Sequence, residues 1–320
     1  MYPVFGQKES DSLPYTLYKE RVVLFSDLGF KSAPFTLRDD FGEGVEKLKF
    51  KHNLRLSMGL GVMYKWFSLR IGFGLPGTLR PQSRFGKSQL TDLGINFSFK
   101  KTYWDIDARG YSGYAIMDAQ KWNDTLNDLR PNLIRPDTRA VSFSTHVWFF
   151  KNKHFKMPAV LGKVGHYNRA ESTWYFKGTL NFFGIGNENK PITPGELIDT
   201  TESKSYAHTL AALDIGFVPG YAYVGRIDNW QFSAFGGLGA VIQSKIYTFG
   251  QTTSSLLGLA PRIDLRFIAG YSKPDYFLWF VTDFDVKSIR FQEMRYNQTF
   301  YSIKVVGGIR LKEKEKKPEN

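Results

Sequence analysis

Residues 53–77 read "NLRLSMGLGVMYKWFSLRIGFGLPG". Up to Tyr64, Leu54, Leu56, Met58, Leu60, Val62 and Tyr64 share one face, and Asn53, Arg55, Ser57, Gly59 and Gly61 share the other. Beyond Lys65-Trp66 the pattern resumes, with Phe67, Leu69, Ile71, Phe73 and Leu75 alternating with Ser68, Arg70, Gly72 and Gly74. A two-residue period marks a strand with two unlike faces, and no helical period fits the run. Gly72, Gly74 and Gly77 also have the spacing of the dinucleotide-binding fingerprint G-x-G-x-x-G. That motif needs a helix opening at the glycines, so that N-terminal amides meet the pyrophosphate. Here the strand runs through the glycines and Pro76 and Gly77 turn the chain, so Gly72 and Gly74 are read as inward positions that make room for neighbouring side chains.

The alternation recurs along the chain. Leu93, Ile95, Phe97 and Phe99 oppose Asp92, Gly94, Asn96 and Ser98; Trp104, Ile106 and Ala108 oppose Asp105, Asp107 and Arg109. Val141, Phe143, Val147 and Phe149 oppose Ser142, Ser144 and His146, and Trp174, Phe176, Leu180 and Phe182 oppose Tyr175, Lys177, Thr179 and Asn181. Ile263, Leu265 and Phe267 oppose Arg262, Asp264 and Arg266, and a last strand carries Ile303, Val305, Ile309 and Leu311 with Lys304 and Arg310. These runs are longer than the usual globular strand of about 5 to 6 residues and reach the roughly 9 to 11 needed to cross a bilayer at a tilt.

Composition agrees. The chain of 320 residues is 16% aromatic yet has a mean hydropathy of −0.31, as expected when apolar residues occupy every second position. No apolar run is long enough for a membrane helix. The net charge of +13 is spread along the chain instead of gathered into a patch or arm, which argues against a nucleic-acid partner. With no cysteine there are no disulfides or thiolate metal sites. The start, "MYPVFGQKES", lacks the basic and apolar segments of a signal peptide and is read as the remnant of a leader.

Connections are expected to alternate in length. Short turns at Lys65-Trp66, Lys100-Lys101, Asn152-Lys153, Asp228-Asn229 and Lys273-Pro274 separate longer loops at 33–48, 78–84, 118–136, 186–205, 248–253 and 291–297. Short periplasmic turns and long outer loops characterise outer-membrane barrels. An interfacial aromatic girdle is expected beside the short turns: Tyr64 and Trp66, Tyr103 and Trp104, Trp148 with Phe149 and Phe150, Trp230, and Tyr276 with Trp279. The fold expected is all-β, a transmembrane antiparallel up-and-down barrel of about 12 strands. The alternative count of 14 arises because residues 155–186 read either as one bent strand or as two. The barrel spans residues 19–312, after an N-terminal segment 1–18 and before a basic tail 313–320. Outer-membrane lipid and lipopolysaccharide, with other envelope proteins, are the expected partners.

The inward faces carry Arg55, Arg70, Gly72, Gly74, Asp92, Asp105, Asp107, Arg109, His146, Lys177, Asp214, Arg262, Asp264, Arg266, Asp283, Asp285 and Lys304. Charges of both signs either pair and fill a narrow lumen or line a selective passage for small solutes. Of the five histidines, no two have metal-pair spacing on one element, and no cofactor or metal is expected. Asp39, Asp40 and Glu43 in an outer loop are oxygen ligands without the EF-hand spacing, so a solvated acidic loop is favoured over calcium binding. Ser144 and His146, two apart on one strand, give the one catalytic alternative, a lipid-modifying enzyme. Outer-membrane phospholipases use a serine-histidine pair on a twelve-stranded barrel, but in the opposite chain order and facing lipid.

Three segments, "FKHNLRLSMGLGVMYKWFSLRIGFGLPG", "GKSQLTDLGINFSFKKTYWDIDARGYSGYAI" and "IRPDTRAVSFSTHVWFFKNKHFKMPA", resemble a family of uncharacterised outer-membrane barrels of Bacteroidota, a domain of unknown function of the DUF4421 type. The resemblance runs from about Tyr18 to the C-terminus. It implies the barrel fold and the outer membrane as location, and it supplies no activity and no catalytic residues.

Overall fold

The computed structural model describes residues 13–41, 44–187, 190–198, 206–249, 252–291 and 294–311. Sixteen strands are present among them: β1 (Tyr15–Leu17), β2 (Val22–Ser32), β3 (Phe35–Arg38), β4 (Lys47–Lys51), β5 (Arg55–Tyr64), β6 (Phe67–Thr78), β7 (Gln89–Ser98), β8 (Thr102–Ile116), β9 (Leu133–Phe150), β10 (Gly165–Tyr167), β11 (Glu171–Asn187), β12 (Thr209–Ile227), β13 (Trp230–Phe249), β14 (Thr252–Ser272), β15 (Tyr276–Phe291) and β16 (Met294–Leu311). Twelve of these close a ring of antiparallel neighbours, β2-β5-β6-β7-β8-β9-β11-β12-β13-β14-β15-β16, sealed where β16 pairs with β2 from Tyr301↔Ser32 to Leu311↔Val22. The protein is an outer-membrane β-barrel. Its exterior is a hydrocarbon surface on which Ile71, Trp174, Phe176, Ile215, Phe217, Leu238, Ile263, Leu265 and Ile303 are all more than 40% exposed. The end holding the described chain ends and the tight turns is the periplasmic one.

The sheet has fourteen strands although twelve cross, because β3 and β4 join it without crossing. They form a hairpin in the outer wall, where β3 pairs with β16 and β4 pairs with β8. The short strands β5, β6 and β7 stop below it, so the wall narrows from twelve strands to ten at the outer end. The loop expected at 33–48 is thus largely wall.

Two other expected loops are largely strand among the described residues. β13 runs to Phe249 and β14 starts at Thr252; β15 ends at Phe291 and β16 starts at Met294. Pairing of β13 with β14 persists to Phe249↔Thr252.

The connection at Asn152-Lys153 is also different from expectation. β9 ends at Phe150 and β11 begins at Glu171, so β11 alone makes the crossing in the 155–186 region. The residues between fold into the periplasmic mouth as a plug: a helical turn, α1 (Met157–Val160), then β10, which pairs with β1. Sequence periodicity missed this because "FKMPAVLGKVG" runs apolar from Met157 to Leu161 with no two-residue period, as suits a segment packed inside the lumen. The inturned plug needs an apolar seat, and Tyr103, Trp148 and Trp279 provide it, each 3% exposed or less. These three belong to the plug's seat and not to the outer girdle. Tyr64, Trp66, Trp104, Phe149, Trp230 and Tyr276 do face outward, all at least 36% exposed.

Candidate functional site

The lumen is the concave feature that the fold creates, and it is layered. At the outer end Phe35, Leu37 and Phe50 from the β3–β4 hairpin pack with Tyr114, Ile116, Phe183, Ile289, Phe291 and Tyr296 in one buried apolar cluster. Phe35 stacks on Phe50 with ring centroids 4.3 Å apart. At the periplasmic end Phe155, Met157, Ala159, Val160 and Tyr167 of the plug pack on Tyr103, Trp148, Tyr175 and Phe235. Trp279, Phe277 and Phe25 form a third cluster beside Val164.

Polar side chains lock the plug in place. Gln231, fully buried, donates from Nε2 to the carbonyls of Ala159 and Val160 at 3.1 Å each, and its Oε1 accepts from the Tyr167 N–H at 2.8 Å. Arg310, 2% exposed, donates from Nε to Lys163 O at 2.7 Å and from Nη2 to Gly162 O at 2.5 Å and Ser272 Oγ at 3.0 Å. Trp279 Nε1 donates to Gly162 O at 3.3 Å. Gly162 adopts φ 66°, and a Cβ there would overlap the Trp279 ring, so glycine is required on both counts.

Between the apolar ends lies the charged layer that the alternation placed inside. Arg70 bridges two carboxylates, with Nε and Nη2 on Asp27 at 2.5 and 2.7 Å and Nη1 on Asp92 at 2.6 Å; Lys31 also pairs with Asp92. Arg266 pairs with Asp283 at 2.6 Å and reaches Asp105 at 3.6 Å, while Lys304 lies 3.8 Å from Asp283. Lys177 pairs with Asp264 at 2.6 Å, Arg109 with Asp107 at 3.1 Å, and Arg262 with Asp214. Asp285 lies 3.6 Å from Lys287. Arg55 stands apart from this network, donating to Leu75 O at 2.5 Å and Ser88 O at 3.2 Å. Paired in this way, buried charges avoid the penalty of isolated ones.

Two glycines make the packing possible. A Cβ on Gly72 would overlap the Asp92 carboxylate, and one on Gly74 would stand 2.9 Å from Arg55 Cδ. The glycine spacing that imitates a nucleotide motif is therefore filled by protein side chains. Two adjoining cavities of about 50 and 100 Å³, which share Asp105, Asp107, Arg109, Arg266 and Asp283, stay open in the charged layer, and each has room for several waters.

Reading inward faces missed Asp27, Lys31 and Lys287. The first two obey the same alternation in "VVLFSDLGFKS", but apolar Val23 and Phe25 on that face hide it. Arg310 was placed on the last strand without a partner, since Gly162 and Lys163 are remote in sequence.

Ser144 and His146 both point inward, away from lipid. Ser144 is 3% exposed and accepts from Lys287 Nζ at 3.4 Å, while His146 Nδ1 has no hydrogen-bond partner among the described residues. No hydrogen bond joins the serine to the histidine among those residues. Ser142 likewise accepts from Lys287 at 2.9 Å. Asp39 and Asp40 lie at the tip of the β3–β4 hairpin and Glu43 lies outside the described residues; among described residues no group of three or more potential ligands gathers as a metal site.

The upper wall has a seam between β14 and β15. β14 pairs with β15 only as far as Ile263↔Val286. Above that point Gln243 Nε2 donates to Ser288 O at 2.9 Å and Lys245 Nζ to Arg290 O at 2.7 Å, so side chains of β13 satisfy carbonyls that a neighbouring strand would otherwise take.

A family model described as "Domain of unknown function (DUF4421)" matches residues 9–307. Among solved structures, the outer membrane protease OmpT of Escherichia coli aligns at 9% identity over 92% of this chain and 98% of its own, with a TM-score of 0.42. The translocator domain of the autotransporter NalP of Neisseria meningitidis aligns at 8% identity over 91% and 89%, with a TM-score of 0.39. The toluene transporter TodX of Pseudomonas putida aligns at 8% identity over 92% and 91%, with a TM-score of 0.26. A search of curated proteins finds no match.

Proposed function

The chain belongs to the DUF4421 family, and from that premise we propose that it is a closed, non-catalytic barrel serving as a structural or accessory subunit of the outer membrane. The observation carrying this reading is the layered lumen: an apolar cluster at each end and a neutralised charged layer between them. A small-solute passage needs a continuous wet path, and the plug is bonded to the wall at Gly162, Lys163, Ala159 and Val160. A lipid-modifying enzyme needs its nucleophile open to the acyl substrate, and Ser144 is buried on the lumen side.

The test is conductance of purified protein in planar bilayers. The closed reading expects a silent baseline from the wild-type barrel and current steps only when the plug is loosened, as in the double variant Gln231→Leu/Arg310→Met. Stable unitary steps from the wild type would return the inward charges to the role of a selective passage.

A further inference from the structure

The outer wall carries a second charged feature, on its outside. Arg290 of β15 pairs with Arg295 of β16, Arg295 with Arg38 of β3, and Arg38 with Lys47 of β4. Directly paired residues share a face, and the residues flanking each of these, among them Leu37, Leu48, Ile289, Phe291 and Tyr296, are buried inward. The four cations therefore form one continuous outward row across four neighbouring strands. Lys49 and Lys51 of β4 extend it downward.

Like charges placed directly opposite one another on a sheet are destabilising, and here three such pairs follow in succession. Among the described residues no salt bridge joins any of the six to an acid. Lys47 is held below the ordinary lysine value by desolvation and by the Arg38 and Lys49 charges beside it. Among the described residues the row thus has no salt-bridge partner. Three strand spacings make it about 14 Å long, which is wider than a single phosphate. Further down the same outward face, past Ser288, Asn297 and Thr299, lie Phe284, Phe280, Ile303 and Val305, each 39–47% exposed on the hydrocarbon surface. A lipid held by its head at the row has that surface below it for its acyl chains.

We infer that the Arg290-Arg295-Arg38-Lys47 row binds the phosphates of an outer-leaflet lipid with more than one phosphate on its head, the class to which lipopolysaccharide belongs. The inference rests on the barrel's place in the outer membrane and is independent of whether the lumen conducts. Each cation near an anionic membrane surface is worth about a five-fold change in affinity.

The test titrates detergent-solubilised full-length protein with bisphosphorylated lipid A, comparing wild type with Arg38→Gln/Lys47→Gln/Arg290→Gln/Arg295→Gln. A control removes four cations at the periplasmic end, Lys19→Gln/Lys65→Gln/Lys100→Gln/Lys101→Gln. The expected result is a loss of at least about ten-fold in the row variant, with the control within two-fold of wild type. Heat-modifiable gel mobility verifies insertion, and Arg38→Gln/Lys47→Gln alone carries the test if the quadruple variant does not fold. Equal losses in both sets, no loss in the row variant, or absence of wild-type binding would each overturn the assignment. Displacement of lipid A by inorganic pyrophosphate at equal concentration would also overturn it, in favour of a soluble anion. A silent bilayer recording bears on the lumen alone, so failure of one reading leaves the other standing.

Discussion

Replacing Arg310 with methionine removes the donors that fasten the plug while keeping a side chain of similar length against Phe277, whose ring centroid lies 4.9 Å from the guanidinium. Two charged hydrogen bonds to plug carbonyls disappear, at Lys163 O and Gly162 O. Charged hydrogen bonds contribute about 1.5–3 kcal/mol each, so docking of the plug weakens by about 3–6 kcal/mol. What remains includes the neutral bonds of Gln231 to Ala159, Val160 and Tyr167 and of Trp279 to Gly162, about 0.5–1.5 kcal/mol each, the charged bonds of Arg226 to Tyr167 O and of Lys156 to Lys100 O, and the apolar contacts. The plug's opening equilibrium should therefore rise by roughly two to four powers of ten. When opening is fast relative to cleavage, proteolysis tracks that equilibrium, so trypsin should cut after Lys163 at least about a hundred times faster than in wild type. Gel mobility should still report an intact barrel, since every ring pairing is made by backbone. Gln231→Leu, on a different strand, should act in the same direction and by less. Cleavage within three-fold of wild type in Arg310→Met would refute the claim that these bonds hold the plug.

Further outcomes follow from other contacts. Gly72→Ala should destabilise the barrel by about 1–3 kcal/mol through overpacking against Asp92, read as a lower urea midpoint in detergent, and a midpoint unchanged from wild type would show that the lumen has slack there. His52, between β4 and β5, is pushed down to about 4 by burial and then by Arg80, and His166 in the plug to about 4 by burial and then by Arg226 and Arg310. The unfolded chain binds these protons near pH 6.5 and the folded chain does not, so their contribution is complete above that pH and is lost as pH falls toward 4. For His52 the slope is at most about 1.4 kcal/mol per pH unit, and for the half-exposed His166 less. The difference between wild type and His52→Gln should thus shrink on acidification through this window; a gap that widens would contradict the sign. Ser144→Ala should leave phospholipid and lipid A composition of the membrane unchanged, and a clear change by mass spectrometry would restore the enzymatic reading.

Much of this molecule was legible in one dimension because a strand's two faces meet two solvents. Leu60, Ile71, Trp174, Phe176 and Leu265 face lipid and Arg70, Asp92, Lys177 and Arg262 face inward because side chains alternate strictly, so local sequence is enough to assign them. The count of twelve crossings followed from the same period together with parity. Where both sides of a segment are protein, the period vanishes: "FKMPAVLGKVG" runs apolar from Met157 to Leu161 with no polar alternation because it lies inside the barrel, and it could be read as a strand only until its partners were known. The tertiary structure alone decided that β3 and β4 are wall, that Tyr103, Trp148 and Trp279 turn inward, and that the inward charges pair between two apolar seals. It also aligned Arg290, Arg295, Arg38 and Lys47, which come from distant parts of the chain and meet only through strand register. The physical reason is range. Which face a residue takes depends on its own strand and the solvent beside it, whereas Arg310 reaching Lys163 O across 147 residues depends on closure of the whole ring.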